Sequence, residues 1–363
     1  MEFGLSQDQK LMQESVRRTL ERVAPLERIR RAAGARETVA ADIWEALVGL
    51  GLPGLIVPEE FGGSALGLLD AALMAEMLGR HVAPVPFLAT IVMAPAALIE
   101  AGSDSQKETW LPKLASGEIR AGVAVSERAS GAREGARITA SGGRLNGSAM
   151  FAFEAQGADL IIVADEKGAL HLVAGKAAGL TLTPLETIDL TRDLSELHFD
   201  NVEAEPLAGD SGRALSRMIA AGRIILAADT LGAGDMMIEK AVDYARERKQ
   251  FGRVIGSFQA VKHLCAEMAA ELEPGRALIW YAAHAFDTLP DDASLMAAHA
   301  KAHLSEAGRF VARTSTEVHG GMGFTDLLGL HYWFKRIGLD RQLLGGPERL
   351  RHEAAVAQGL AAA

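Results

Sequence analysis

The hydrophobic repeat of this chain changes period twice, and nothing else in the sequence constrains the fold as much. Apolar residues recur at helical spacing as far as about Gly117, and again from Ser211 onward. Between them lie short apolar or alternating runs at residues 121–126, 137–140, 144–146, 160–164, 170–173, 180–183 and 195–199. Turn clusters separate these runs, among them Ser141-Gly142-Gly143, Glu166-Lys167-Gly168 and Ala178-Gly179. Side chains repeat every two residues on a strand and every 3.6 on a helix, so one pattern cannot serve both. Closely spaced strands with no helices between them suggest an antiparallel sheet or small barrel. A chain of 363 residues also exceeds one ordinary domain. The predicted class is α+β, mostly α: an N-terminal helical domain over 1–119, a middle β domain over 120–209 and a C-terminal helical bundle over 210–363.

Ser6-Gln7-Asp8-Gln9 has the form of a capping box, and Met12, Val16, Leu20 and Val23 follow at helical spacing until Pro25. Further helices are predicted at about 39–51, 66–78, 84–101 and 105–115. After the β region, long amphipathic segments at 212–248, 259–289, 294–319 and 346–358 suit a four-helix bundle. Their alanine-rich, weakly charged faces also suit burial against another subunit. Hydrophobic residues make up 49%, enough for a large core. A net charge of -10 argues against nucleic acid or an anionic membrane as partner. The single cysteine, Cys265, leaves no internal disulfide or cysteine metal cluster and fits a reducing cytoplasm. The chain opens without a signal-peptide pattern, and its longest apolar run, 88–99, is well short of the roughly 18 residues of a membrane span. A soluble, cytoplasmic protein is expected. His319 and His331 have no further ligand at metal spacing, so no metal site is predicted.

One stretch carries more chemistry than the rest. Ala233, Met237, Val242 and Ala245 face one way along a predicted helix, and Arg246, Arg248 and Lys249 gather in its last turn, where cations suit the helix dipole. Gly252 reads as the helix stop, Phe251 as an apolar plug, and a second helix starts near Ser257. With Arg253, these cations form either a solvated basic helix end or an anion site in which a guanidinium fork grips a diphosphate.

Arg-Glu-Arg-Lys-Gln-Phe-Gly-Arg at 246–253, continued by Ser-Phe-Gln-Ala-Val-Lys-His at 257–263, resembles the signature of the flavin-dependent acyl-CoA dehydrogenases. Two further blocks agree. They are Val-His-Gly-Gly-Met-Gly-Phe-Thr at 318–325, with His331 and Lys335-Arg336 beyond it, and Val-Pro-Glu-Glu-Phe-Gly-Gly at 57–63. The resemblance implies that family's helical–β–helical fold. It implies α,β-desaturation of an acyl-CoA thioester, in which a carboxylate takes the α proton and FAD accepts hydride from the β carbon. An electron-transfer flavoprotein would be the electron acceptor, and self or a homologous subunit would complete a dimer of dimers. By position, Arg248 approaches the pyrophosphate across a subunit boundary, Phe251 packs on the cofactor and Gln259 lies near its adenosine end. Gly320 and Gly321 would let backbone approach a phosphate. Ser126 would offer a hydroxyl to the flavin ring, Phe151 would stack on it, and Arg223 would lie near the substrate channel.

Several positions depart from the family pattern. Glu317 replaces a glutamine near the diphosphate, Ala132 replaces a serine, and Phe153 replaces a threonine that donates toward flavin N5. The two positions read as the usual sites of the glutamate base are Leu327 and Gly222, and neither residue can abstract a proton. Asp326 is the nearest carboxylate. In this combination the chain resembles base-lacking subunits of heteromeric bacterial acyl-CoA dehydrogenases acting on sterol side chains. Two alternatives stand beside that reading: a self-sufficient homo-oligomer with a relocated base, and a non-catalytic acyl-CoA-binding or structural relative.

Overall fold

Ser6 starts the first helix as its sequence predicts: Ser6 Oγ accepts the Gln9 N–H at 3.1 Å, and Gln9 Oε1 accepts the Ser6 N–H at 3.0 Å. In the computed structural model, which describes residues 4–131 and 136–362, this helix is α1 (Gln7–Val23). α2 (Leu26–Ala35) follows at once, where the sequence pattern predicts no helix. Pro25 ends α1 yet caps α2, because the start of a helix leaves its N–H groups unbonded anyway. α3 (Ala41–Val48), α4 (Leu68–His81), a π-helical turn (Leu88–Met93) running into α5 (Ala94–Ala101), and α6 (Asp104–Ala115) complete the helical N-terminal region.

The middle region comprises β1 (Ala121–Ala124), α7 (Ser126–Ser130), β2 (Ile138–Ser141), β3 (Arg144–Phe153), β4 (Leu160–Ala164), β5 (Leu170–Ala174), β6 (Leu180–Pro184), β7 (Leu194–Glu203) and β8 (Glu205–Pro206). They form one curled sheet in the order β6-β7-β3-β1-β4-β5-β8, with β2 on β3. Neighbours are antiparallel except β1 and β4. The first strand stops earlier than predicted, since Ser126 already belongs to α7. β3 runs well beyond 144–146, its register on β7 shifting between Leu145 and Gly147 and again between Ala149 and Ala152. Such bulges interrupt the two-residue repeat and hide the strand from a pattern search. One face of the sheet packs into the main helical core; the other closes on Leu145, Ala149, Ile161, Leu197 and Phe199.

The C-terminal helical region is built on α8 (Ser211–Glu247), which packs against α4, α5 and four of the five helices C-terminal to it, the last of the five packing on the third. These are α9 (Gln259–Leu272), α10 (Pro274–Thr288), α11 (Ala293–His319), α12 (Leu330–Asp340) and α13 (Pro347–Ala357). The predicted single helix over 259–289 is divided at Pro274, whose ring and missing N–H break the ladder. α12 is a further helix that the sequence pattern does not predict. The turn after α8 is also not a simple helix stop: β9 (Lys249–Gln250) and β10 (Arg253–Val254) make a small hairpin. Phe251 at φ 53° and Gly252 at φ 78° form its tip, as a two-residue hairpin turn requires.

A buried ionic network joins the middle sheet to the C-terminal helices. Arg192, beside β7, pairs with Asp229 of α8 at 3.1 Å and Asp340 of α12 at 2.9 Å. Arg336 of α12 pairs with Asp189 at 2.8 Å and Asp229 at 3.2 Å. The network fixes the sheet against α8 and α12, and a cleft lies where these elements meet.

Candidate active site

The cleft, of about 200 Å³, opens between the middle sheet and the end of α12. Ser126, Glu127, Ser130 and Gly131 form one side with Met150 and Phe151; Leu339, Gln342, Leu343 and Leu344 form the other. Ser126 Oγ donates to Phe151 O at 2.8 Å, so its proton is committed and what it has left to offer is acceptor lone pairs. Phe151 sits at φ 55° within the second register shift of β3, a conformation that lifts its ring out of the regular pleat. Phe153 is different: it is 2% exposed and packed in the core, outside the cleft lining. Ala132 lies outside the described residues.

Glu127 is the carboxylate in this lining among the described residues. Its Oε1 accepts the Met150 N–H at the bulge, and burial pushes the carboxyl above its ordinary value despite that bond. It directly follows Ser126, so its adjacency is visible in the sequence although its direction is not.

A second cleft, of about 300 Å³, lies on the other side of α7. Arg128 and Ala129 line it with Leu215, Ser216, Arg223 and Glu353. Arg223 is 6% exposed; its Nε donates to Leu344 O at 3.0 Å and its Nη2 meets Glu353 Oε2 at 2.8 Å. Burial lowers the guanidinium from its ordinary value, while Glu353 opposes that shift. Arg223 and Leu344 thus join the two clefts. Gly222 lies at the same junction, and a Cβ there would come within 2.5 Å of Leu344 Cδ1 and 2.9 Å of Met93 Sδ. Any side chain at 222 meets occupied space.

Asp326 and Leu327 line neither cleft. They sit on an exposed loop, 70% exposed for the Asp326 side chain and 69% for Leu327. Arg30 Nη2 donates to Leu327 O at 2.7 Å, and the Asp326 carboxylate lies 3.8 Å from Arg30 and 3.5 Å from His331. His319 Nδ1 meets Ser315 O at 2.7 Å and its ring packs on Tyr244. Among the described residues no three His, Cys, Asp or Glu side chains converge as metal ligands.

The residues expected to hold a diphosphate gather elsewhere. Arg248 caps the C-terminus of α8 with its side chain exposed, Gln259 opens α9, and Phe251 projects from the hairpin tip at 91% exposure. Phe251 is therefore not a plug within this chain; among the described residues its ring meets the edge of Phe258, at 6.1 Å between centroids. Gly320 has φ 57°, and a Cβ at Gly320 or Gly321 would meet nothing within 4 Å, so backbone is open to a ligand there. Glu317, one turn before, lines a polar cleft of about 600 Å³ with Arg309, Arg313 and Arg351. From Gly222, at the ring-side junction, to Arg248 is 26 residues of one helix, about 39 Å at 1.5 Å per residue.

Residues 6–118 match the acyl-CoA dehydrogenase N-terminal domain and residues 211–358 the acyl-CoA dehydrogenase C-terminal domain. The chain is 31% identical over 345 residues to the acyl-CoA dehydrogenase IpdE2 of Mycobacterium tuberculosis, covering 95% of each chain. Among solved structures, the Tcur3481-Tcur3483 steroid ACAD G363A variant aligns with TM-score 0.88 at 29% identity, over 97% of this chain and 98% of that one. The ChsE4-ChsE5 complex from Mycobacterium tuberculosis aligns with TM-score 0.90 at 25% identity, over 100% of both chains. With both terminal regions matched and the helical–sheet–helical order in place, this chain belongs to the acyl-CoA dehydrogenase family of oxidoreductases.

Proposed function

We propose that this chain is one subunit of a heteromeric, FAD-dependent acyl-CoA dehydrogenase, and that a homologous subunit supplies the proton acceptor. The lack of a carboxylate at 222 and 327 carries the partner-supplied base, and the separation along α8 carries the sharing between subunits. Gly222, at the junction beside the ring-side cleft, and Arg248 are about 39 Å apart along α8, more than a flavin's short ribityl chain spans between its ring and a diphosphate. The two half-sites of one chain therefore serve two different cofactors, each shared with a neighbouring subunit. The 91% exposure of Phe251 supports the same reading, because an aromatic ring so placed leaves most of its surface for contacts outside its own chain.

The residues present fit a flavin. The ring-side cleft offers an aromatic face in Phe151, an aliphatic wall in Leu343 and Leu344, and hydroxyl lone pairs on Ser126. FAD, when bound, supplies the hydride acceptor for the β carbon. Leu339, Leu343 and Leu344 exclude water from the ring side. Arg248 and the open Gly320-Gly321 backbone bind and orient the diphosphate. The cleft beside Arg223 and Arg128 takes the acyl-CoA thioester. At positions 222 and 327 this chain offers no carboxylate, and Glu353 is held by Arg223 and, at 2.8 Å, by Arg349. The ChsE4-ChsE5 complex is by its name a two-chain relative, which supports a sister-subunit role here. An electron-transfer flavoprotein would accept the electrons.

One observation favours a second reading, a self-sufficient homo-oligomer: Glu127 lies in the ring-side lining with its affinity for protons raised by burial. A visible spectrum of the chain expressed alone and with a base-bearing homologue separates the two. Colourless protein that becomes yellow and active only on co-expression supports the heteromer. A yellow single-chain protein that bleaches with acyl-CoA, and stops doing so as Glu127→Gln, overturns it.

A further inference from the structure

Lys301 is a buried basic side chain with no part in the proposed desaturation. It lies on α11 at 1% exposure, and its Nζ donates to Asp340 O at 2.6 Å, Ser305 Oγ at 3.3 Å and Arg341 O at 3.4 Å. The carboxylate of Asp340 is directed instead at Arg192, 2.9 Å away. The ammonium is thus used on the two main-chain carbonyls that end α12, positions that a helix leaves without internal partners.

Beyond these two carbonyls the chain turns sharply, with Leu344 at φ 55° and Gly345 at φ 105°. A non-glycine residue in the left-handed region persists only where its surroundings hold it. Two basic side chains do so: Lys301 grips the start of the turn, and Arg223 Nε donates to Leu344 O farther along. Gln342, Leu343 and Leu344, between these anchors, are the wall of the ring-side cleft that faces Ser126 and Phe151. A methionine of similar length would fill the space of Lys301 with no polar group to desolvate, so the hydrogen bonds of Nζ are what offset its burial.

We infer that Lys301 is a positioning residue for the flavin: by clamping the end of α12 it holds the 342–345 turn where that turn can wall the cleft. This rests on the reading that the cleft takes the flavin ring. Burial pushes Lys301 down to about 7. Asp340 of α12 favours its charged form, whereas Arg223 of α8, Arg341 at the end of α12 and Arg192 beside β7 oppose it.

The test compares wild type with Lys301→Met and Lys301→Gln, each as the assembled, flavin-loaded complex. Amide hydrogen exchange is read on peptides covering 339–346, with FAD retention read from the visible spectrum. In Lys301→Met, exchange at 341–346 should rise about tenfold while peptides of α4 stay unchanged, and the FAD dissociation constant should rise about tenfold. Lys301→Gln, uncharged and one atom shorter, should give a smaller rise of both, and it carries the test alone if the methionine variant does not fold. Wild-type exchange at 341–346 in a folded variant overturns the clamp. Raised local exchange with unchanged FAD retention overturns the link to flavin, and with it the assignment of this cleft, while the clamp itself stands.

Discussion

Replacing Arg336 by methionine should destabilise the protein severely, and in a way that depends on pH. Arg336 is 2% exposed. Its Nε lies 2.8 Å from Asp189 Oδ2, its Nη1 3.2 Å from Asp229 Oδ1, and its Nη2 donates to Thr191 Oγ1 at 2.6 Å and to Ala83 O at 3.3 Å. In Arg336→Met, Asp229 keeps Arg192 at 3.1 Å, so Asp189 is the carboxylate that loses its ion-pair partner. Removing one partner of a buried pair costs about 3–5 kcal/mol, a large part of a stability that is roughly 5–15 kcal/mol for ordinary proteins. The assay is urea denaturation followed by far-UV circular dichroism at pH 7 and pH 5. An uncompensated buried carboxylate holds a proton more readily folded than unfolded, so its contribution to stability grows as pH falls. The deficit of the variant against wild type should therefore shrink at pH 5. Adding Asp189→Asn to Arg336→Met removes the orphaned charge and should recover more than half of the loss at pH 7. A deficit below about 1 kcal/mol, or one equal at both pH values and untouched by the second substitution, would show that charge compensation does not hold these elements together.

Glu154 accepts the N–H groups of Leu88 and Ala89 at 2.9 Å and of Thr90 at 3.2 Å, yet burial pushes its carboxyl up to about 7. Its stabilisation is thus full below the unfolded value and lost as pH rises through about 7, so Glu154→Gln should flatten the stability curve across that window in pH-dependent melts. Gly222→Ala should cost about 1–3 kcal/mol, because its Cβ would collide with Leu344 and Met93; a neutral result in denaturation would show the junction to be looser than its geometry. Arg248→Gln should leave the melting temperature of the isolated chain unchanged while the assembled complex loses FAD on gel filtration, and retained FAD would remove Arg248 from the cofactor grip. Asp326→Asn should change neither turnover nor stability of the assembled enzyme; loss of turnover would restore Asp326 as the base.

How legible the fold is in the sequence depends on whether a segment's partners are local. The capping box at Ser6 and Gln9 closes within one turn, and the stretch at 7–23 keeps its apolar residues at regular spacing, so both can be read directly. α12 escapes because two of the residues on its buried face are Arg336 and Asp340, charged groups that break an apolar stripe on paper. They are buried only because Asp189, Arg192 and Asp229 arrive from other elements to compensate them. α2 is obscured in a similar way by its arginines, although Ile29, Ala32 and Ala33 do form a buried stripe.

The same division applies to the site. Sequence alone determined the helix–strand–helix order, the basic corner around Arg248 and the lack of a carboxylate at 222 and 327, because each is a property of residue types at short spacing. Only the tertiary structure decided that Phe251 faces outward, that Asp326 stands apart from the clefts, and that Ser126 meets Leu344 from 218 positions away. The reason is physical: periodicity reports which face of an element is apolar, whereas a cleft is made by the direction of side chains on elements that meet only after the chain has folded.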